Sequence, residues 1–102
     1  MEVTELTIKV FVEFQAKPGK RDEMIRFIQH IIDEHGPHME GYLGSAQYVS
    51  TDDPDMLYEI ADWTSVEARD AHMQKAAATG MFEPFGALLA GPFRVTIMSP
   101  LG

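Results

Sequence analysis

The chain has 102 residues, 45% of them hydrophobic, with sixteen acids against eight lysines and arginines, a net charge of −8 and no cysteine. That length fits one domain, residues 1–102, with a limited core, and the composition is that of a globular chain. The acidity argues against nucleic acid, which needs clustered cations, and the missing cysteines exclude disulfides and thiolate chemistry. No apolar run is long enough to span a membrane. The start, MEVTELTIKV, lacks the basic lead of an export signal, so a cytoplasmic location is expected.

The first strand is read over residues 6–16. Leu6, Ile8, Val10, Val12 and Phe14 alternate with Thr7, Lys9, Phe11, Glu13 and Gln15, a period of two. Lys17-Pro18-Gly19 ends it. A helix follows from about Lys20 to His35, where Met24, Ile25, Phe27, Ile28, Ile31 and Ile32 share one wide arc. Gly36-Pro37 is its stop signal. Tyr42 to Ser50 reads as the second strand and Met56 to Trp63 as the third. The turn Thr51-Asp52-Asp53-Pro54-Asp55 between them makes a hairpin.

A second helix is expected over Ser65 to Ala78, with Thr64 as N-cap and Glu67 closing a capping box. Met81 to Leu89 reads as a short extra helix broken by Pro84 and Gly86. Phe93 to Met98 is the last strand.

The order β-α-β-β-α-β specifies an α+β, ferredoxin-like fold: a four-stranded antiparallel sheet with two helices on one face. Both phases of the first strand carry apolar groups, Phe11 among the otherwise polar set. The uncovered sheet face is therefore expected to pair with a second copy, giving a homodimer.

The sharpest local pattern is Tyr58 to His72, YEIADWTSVEARDAH. A strand ends in the only tryptophan, a helix begins, and His72 follows about two turns in. Together with KPGKRDEM and the closing GPFRVTIMSP, this stretch resembles the antibiotic biosynthesis monooxygenase family of small dimeric α/β-barrel proteins, over nearly the whole chain. The resemblance implies a pocket between sheet and helices in each subunit. It also implies oxidation of an anthrone, quinol or similar aromatic polyketide by dioxygen, with no metal, flavin or haem cofactor. Haem-degrading relatives rely on an Asn, Trp and His set. This chain has no asparagine, so Trp63 and His72 supply only two of the three. A non-catalytic ligand-binding or accessory dimer of the same fold stands as the alternative.

His72 is the candidate for proton transfer, because an imidazole accepts a proton near neutral pH. Its plain reading, a hydrogen-bonded packing residue, stands level with this. Trp63 is a candidate wall on which an aromatic substrate stacks, against the reading of a core tryptophan. Tyr48, Phe11, His38, Met73, Phe82 and Phe85 are the substrate-contact candidates. The segment from Gly80 to Gly91 is read as a hinged lid. His30, His35 and His38 are read as surface and helix-end residues rather than metal ligands, because their helical phases diverge.

Overall fold

The computed structural model describes residues 7–101, so Leu6 lies outside the described residues. Strands β1 (Ile8–Gln15), β2 (Tyr42–Val49), β3 (Met56–Trp63) and β4 (Arg94–Met98) form one antiparallel sheet in the order β2-β3-β1-β4. Helix α1 (Arg21–His35) runs on into a 3-10 turn over Gly36–His38. Helix α2 (Val66–Ala78) follows β3, and a single turn, α3 (Phe85–Leu88), precedes β4. This is the expected ferredoxin-like α+β fold. No helix among the described residues is long and apolar enough to cross a membrane.

The period-two pattern of β1 decides which face is covered. Ile8, Val10, Val12 and Phe14 are buried under the helices, while Lys9 and Gln15 are exposed on the other side. Register then assigns the neighbours. Ile8, Val10, Val12 and Phe14 stand opposite Trp63, Ala61, Glu59 and Leu57. Phe11 and Glu13 stand opposite Ile60 and Tyr58 on the uncovered face. Helix α1 closes the core with Met24 and Ile28 buried and Ile25, Phe27, Ile31 and Ile32 partly so.

Helix α2 is different. Ala76 is its one buried residue, and Arg69, His72 and Met73 on its sheet side are only partly buried, with space beneath them. Its N-cap is Ser65, whose hydroxyl accepts the Ala68 N–H at 3.0 Å. The expected cap at Thr64 with a Glu67 box is thus displaced by one residue. Ser65 is extended and one residue nearer the helix, so its oxygen reaches the N3 amide first.

Two contacts lock the frame around α2 and the hairpin. Gly41 has φ +87, and a Cβ there would lie 2.6 Å from the Ala68 Cβ and 2.8 Å from the Thr64 Oγ1. Its carbonyl accepts the Thr64 N–H at 2.8 Å, which ties the start of β2 to the entry of α2. At the other end, the Arg21 guanidinium donates to the carbonyls of Ser50, Asp53 and Met56, clamping the β2–β3 turn onto α1.

The lid expected between Gly80 and Gly91 is pinned instead. The Lys17 N–H donates to the Leu88 carbonyl and the Ala90 N–H to the Gln15 carbonyl, both at 2.8 Å, while Phe85 and Leu88 are buried. Of its three glycines only Gly80 is left-handed, as the residue that ends α2.

Candidate active site

The covered phase of β3 reads Leu57, Glu59, Ala61, Trp63, one carboxyl in an apolar row. On β2 the partners of this row are Val49, Gln47, Ser45 and Tyr42. These side chains form a polar ladder under the helices. Gln47 Nε2 donates to Glu59 Oε2 at 2.9 Å and to Ser45 Oγ at 3.3 Å, and the Tyr42 and Ser45 hydroxyls are hydrogen-bonded. Helix α2 brings Arg69, His72 and Met73 over the same area, at the i, i+3, i+4 spacing that makes one stripe. Between these walls lies a cavity of about 110 Å³, mostly apolar.

Its two ends differ. At one, Trp63 is 2% exposed, with Tyr42 edge-on at a ring-centroid distance of 5.4 Å and His72 tilted against it at 5.6 Å. At the other, Phe85 stacks on Phe14 at 5.7 Å and meets Phe27 edge-on at 4.9 Å, with Phe82 and Phe93 around it. Register sets the ends apart, since Trp63 pairs with Ile8 and Leu57 with Phe14, six residues along β1.

Burial governs the charges. It lowers the His72 pKa, and the positive fields of His35, Lys75 and Arg69 push the same way, so the imidazole is neutral at pH 7. It raises the Glu59 pKa, against the opposing pull of hydrogen bonds from Gln47 and Ser45 and of the Arg69 charge. It raises the Tyr42 pKa as well, ahead of the lowering by its Ser45 hydrogen bond, with the charges of Glu59 and Asp62 adding to the rise. Arg69 is lowered by burial and stays a cation. The site therefore offers a neutral ring base, a carboxyl with weakened acidity, a phenol donor and one guanidinium around an apolar space.

Outside it, a cleft of about 960 Å³ opens between α2, the end of α1 and the 3-10 turn. His35, His38, Glu40, Glu67 and Lys75 line it. His72 borders both spaces.

Of the residues singled out from sequence, Trp63, His72, Met73, Phe82 and Phe85 come together at the cavity. Two do not. Phe11 lies in the opposite phase of β1, stacked on Tyr58 at 5.8 Å on the uncovered face. Tyr48 pairs with Tyr58 on that same face and is 54% exposed. Strand alternation forbids either from reaching the cavity. His38 lines the outer cleft rather than the cavity. Sequence reading missed Tyr42, Glu59 and Arg69. Glu59 was findable, as an acid in the phase that carries Leu57 and Trp63, and Arg69 as the residue one turn before His72. Among the described residues no group of three or more His, Asp or Glu side chains is gathered as a metal site.

Solved structures share this fold. A conserved protein from Methanosarcina mazei Go1 superposes with a TM-score of 0.79 at 22% identity, over 93% of each chain. Rv0793 from Mycobacterium tuberculosis gives 0.77 at 23% identity, over 94% of this chain and 96% of that one. A mutant of SnoaB, a cofactor-independent oxygenase from Streptomyces nogalater, gives 0.80 at 12% identity, over 95% of each. No curated protein matches the chain. At these identities the structural likeness speaks for the fold alone. The sequence model of antibiotic biosynthesis monooxygenases, however, matches residues 7–83 directly, and the chain belongs to that family.

Proposed function

We propose that this protein is a cofactor-independent monooxygenase that oxidises a hydroxylated aromatic ring, of the anthrone, quinol or polyketide type, with dioxygen. The observation that carries the reading is the Trp63–His72 pair: a neutral imidazole tilted against the buried indole in the lining of an apolar cavity. Family membership and the fold shared with a cofactor-independent oxygenase support it.

The chemistry needs little from the protein. Trp63 stacks the substrate ring, and Tyr42 and Arg69 hold its oxygen. His72 removes a proton, which leaves an anion rich enough to give one electron to dioxygen. The resulting radical and superoxide combine to a peroxide anion, which takes its proton back from His72. The remaining hydrogen on the same carbon then leaves as a proton while the O–O bond breaks and hydroxide departs, so that the two combine as water. One oxygen atom stays in the product as a carbonyl and the other leaves in water. The apolar walls keep bulk water from the intermediates. Substrate and dioxygen are thus the small-molecule partners, and a second copy of the chain covers the open sheet face.

Incubation under ¹⁸O₂ with chelator-treated protein and a panel of anthrones and quinols tests this. One labelled oxygen atom in the product is expected. A second reading, a binding dimer without turnover, draws on the absence of any asparagine and on a cavity smaller than three fused rings. It predicts a ligand recovered unlabelled.

A further inference from the structure

We propose that the outer cleft is a second subsite for the same ligand, so that the molecule bound is a single hydroxylated aromatic ring carrying an acidic arm. The ring occupies the cavity beside Trp63, and a carboxylate-type group lies in the cleft beside Lys75 and His35. The proposal rests on the reading of the inner cavity as the place of the substrate ring, and it narrows the substrate class.

Size is the first argument. An apolar cavity of ~150 Å³ takes up one benzene molecule. The inner space, at about 110 Å³, is on the scale of one ring, whereas the adjoining cleft holds about 960 Å³. The inner space cannot grow by swinging its phenylalanine end away, because Phe85 is buried and its segment is bonded to the end of β1. A ligand larger than one ring therefore has to extend outward, between His72 and Met39, the two residues that border both spaces.

Charge is the second argument. The cleft is sorted along α2. Glu67 sits in the first turn and Lys75 in the last, eight residues or about 12 Å along the axis. Gly41 packs on Ala68 and Thr64, so its neighbour Glu40 joins Glu67 at the acidic end. His35, Lys75 and His72 all line the cleft, and His35 and Lys75 both act electrostatically on His72, which places the positive end at the border between the two spaces. A group leaving the cavity past His72 thus meets positive charge first, and an anion is favoured there. Lys75 has no acidic partner among the ion pairs of the described residues.

The test is anaerobic titration of the whole protein, followed by calorimetry and by fluorescence of Trp63, the only tryptophan. The probes are 2,5-dihydroxyphenylacetate, its methyl ester and a tricyclic hydroxyanthrone. The acid is expected to bind about fivefold more tightly than the ester, the upper range for one exposed charge contact, and to change Trp63 emission. Lys75→Glu should remove that preference and Lys75→Gln reduce it, both at an exposed position where folding is undisturbed. Equal binding of acid and ester overturns the proposal, as does unchanged binding of the acid by Lys75→Glu. Tighter binding of the anthrone, or no binding of any probe, overturns it too. Oxygen uptake with the same probes separates the two claims. Uptake without preference for the acid removes the subsite and keeps the oxygenase; tight binding of the acid without uptake does the reverse.

Discussion

Burial first, and then the electrostatic influence of His35, Lys75 and Arg69 from two helices, act on the His72 imidazole in the same direction. A base whose pKa lies below the usual ~6.5 is ready at neutral pH and is lost only as pH falls through its lowered value. The acid limb of the kcat/KM profile should therefore lie below pH ~6.5, and Lys75→Gln should move it upward by removing one of the positive fields. A limb at or above the ordinary histidine value would contradict this environment. Glu59 presents the opposite case. Burial raises its pKa, so the folded state holds the proton more firmly than the unfolded chain does. Stability is then lost as pH rises from the unfolded carboxyl value through the folded one. Glu59→Gln should melt higher than the wild type at pH 7, with the gain vanishing in acid, where both states of the wild type are already protonated. Thermal melts at pH 7 and pH 4 read this directly, and a lower melting point at pH 7 would count against it.

At the scale of elements, Gly41 is the joint between β2 and α2. Gly41→Ala drives a Cβ into Ala68 and strains a φ of +87, and should cost about 2 kcal/mol or more in denaturant unfolding. An unchanged midpoint would mean that the joint relaxes freely. The elements themselves were legible in the sequence because two periods do not overlap. Ile8 to Phe14 repeats every two residues, and Met24 to Ile32 at helical spacing, so strand and helix separate cleanly. The site was only half legible. Trp63 and His72 stood out by type and spacing, but Phe11 and Tyr48 were drawn in by their aromatic character alone. Their phase on β1 and β2, opposite to that of Val10 and Ser45, sends them to the far side of the sheet. Gln47 and Ser45 became meaningful only once register brought them beside Glu59 and Ala61, because no local pattern announces a cross-strand pair.

The molecule as a whole carries a surface with the layout of an interface. On the uncovered face Phe11 stacks on Tyr58, with Ile60, Ala46 and Tyr48 alongside. The ion pairs Lys9–Asp62, at 2.7 Å, and Glu13–Arg94, at 3.8 Å, flank this apolar centre on either side along β1. An apolar centre inside a charged rim is how protein interfaces are built. Ile60→Asp, which places an unpaired charge at that centre, should convert a dimer to a monomer by sedimentation; a variant that sediments as the wild type would point to a different face. The same partition keeps the cavity on the other side of the sheet, away from that surface.

Oxygen uptake by chelator-treated protein, with anthrones and quinols supplied as substrates, tests the central claim most directly when wild type and His72→Ala are run side by side. Uptake is expected to need the protein and to fall by roughly 100-fold or more in the variant, the scale of a lost general base. Uptake at the wild-type rate in His72→Ala, or none above background with either protein, would contradict it.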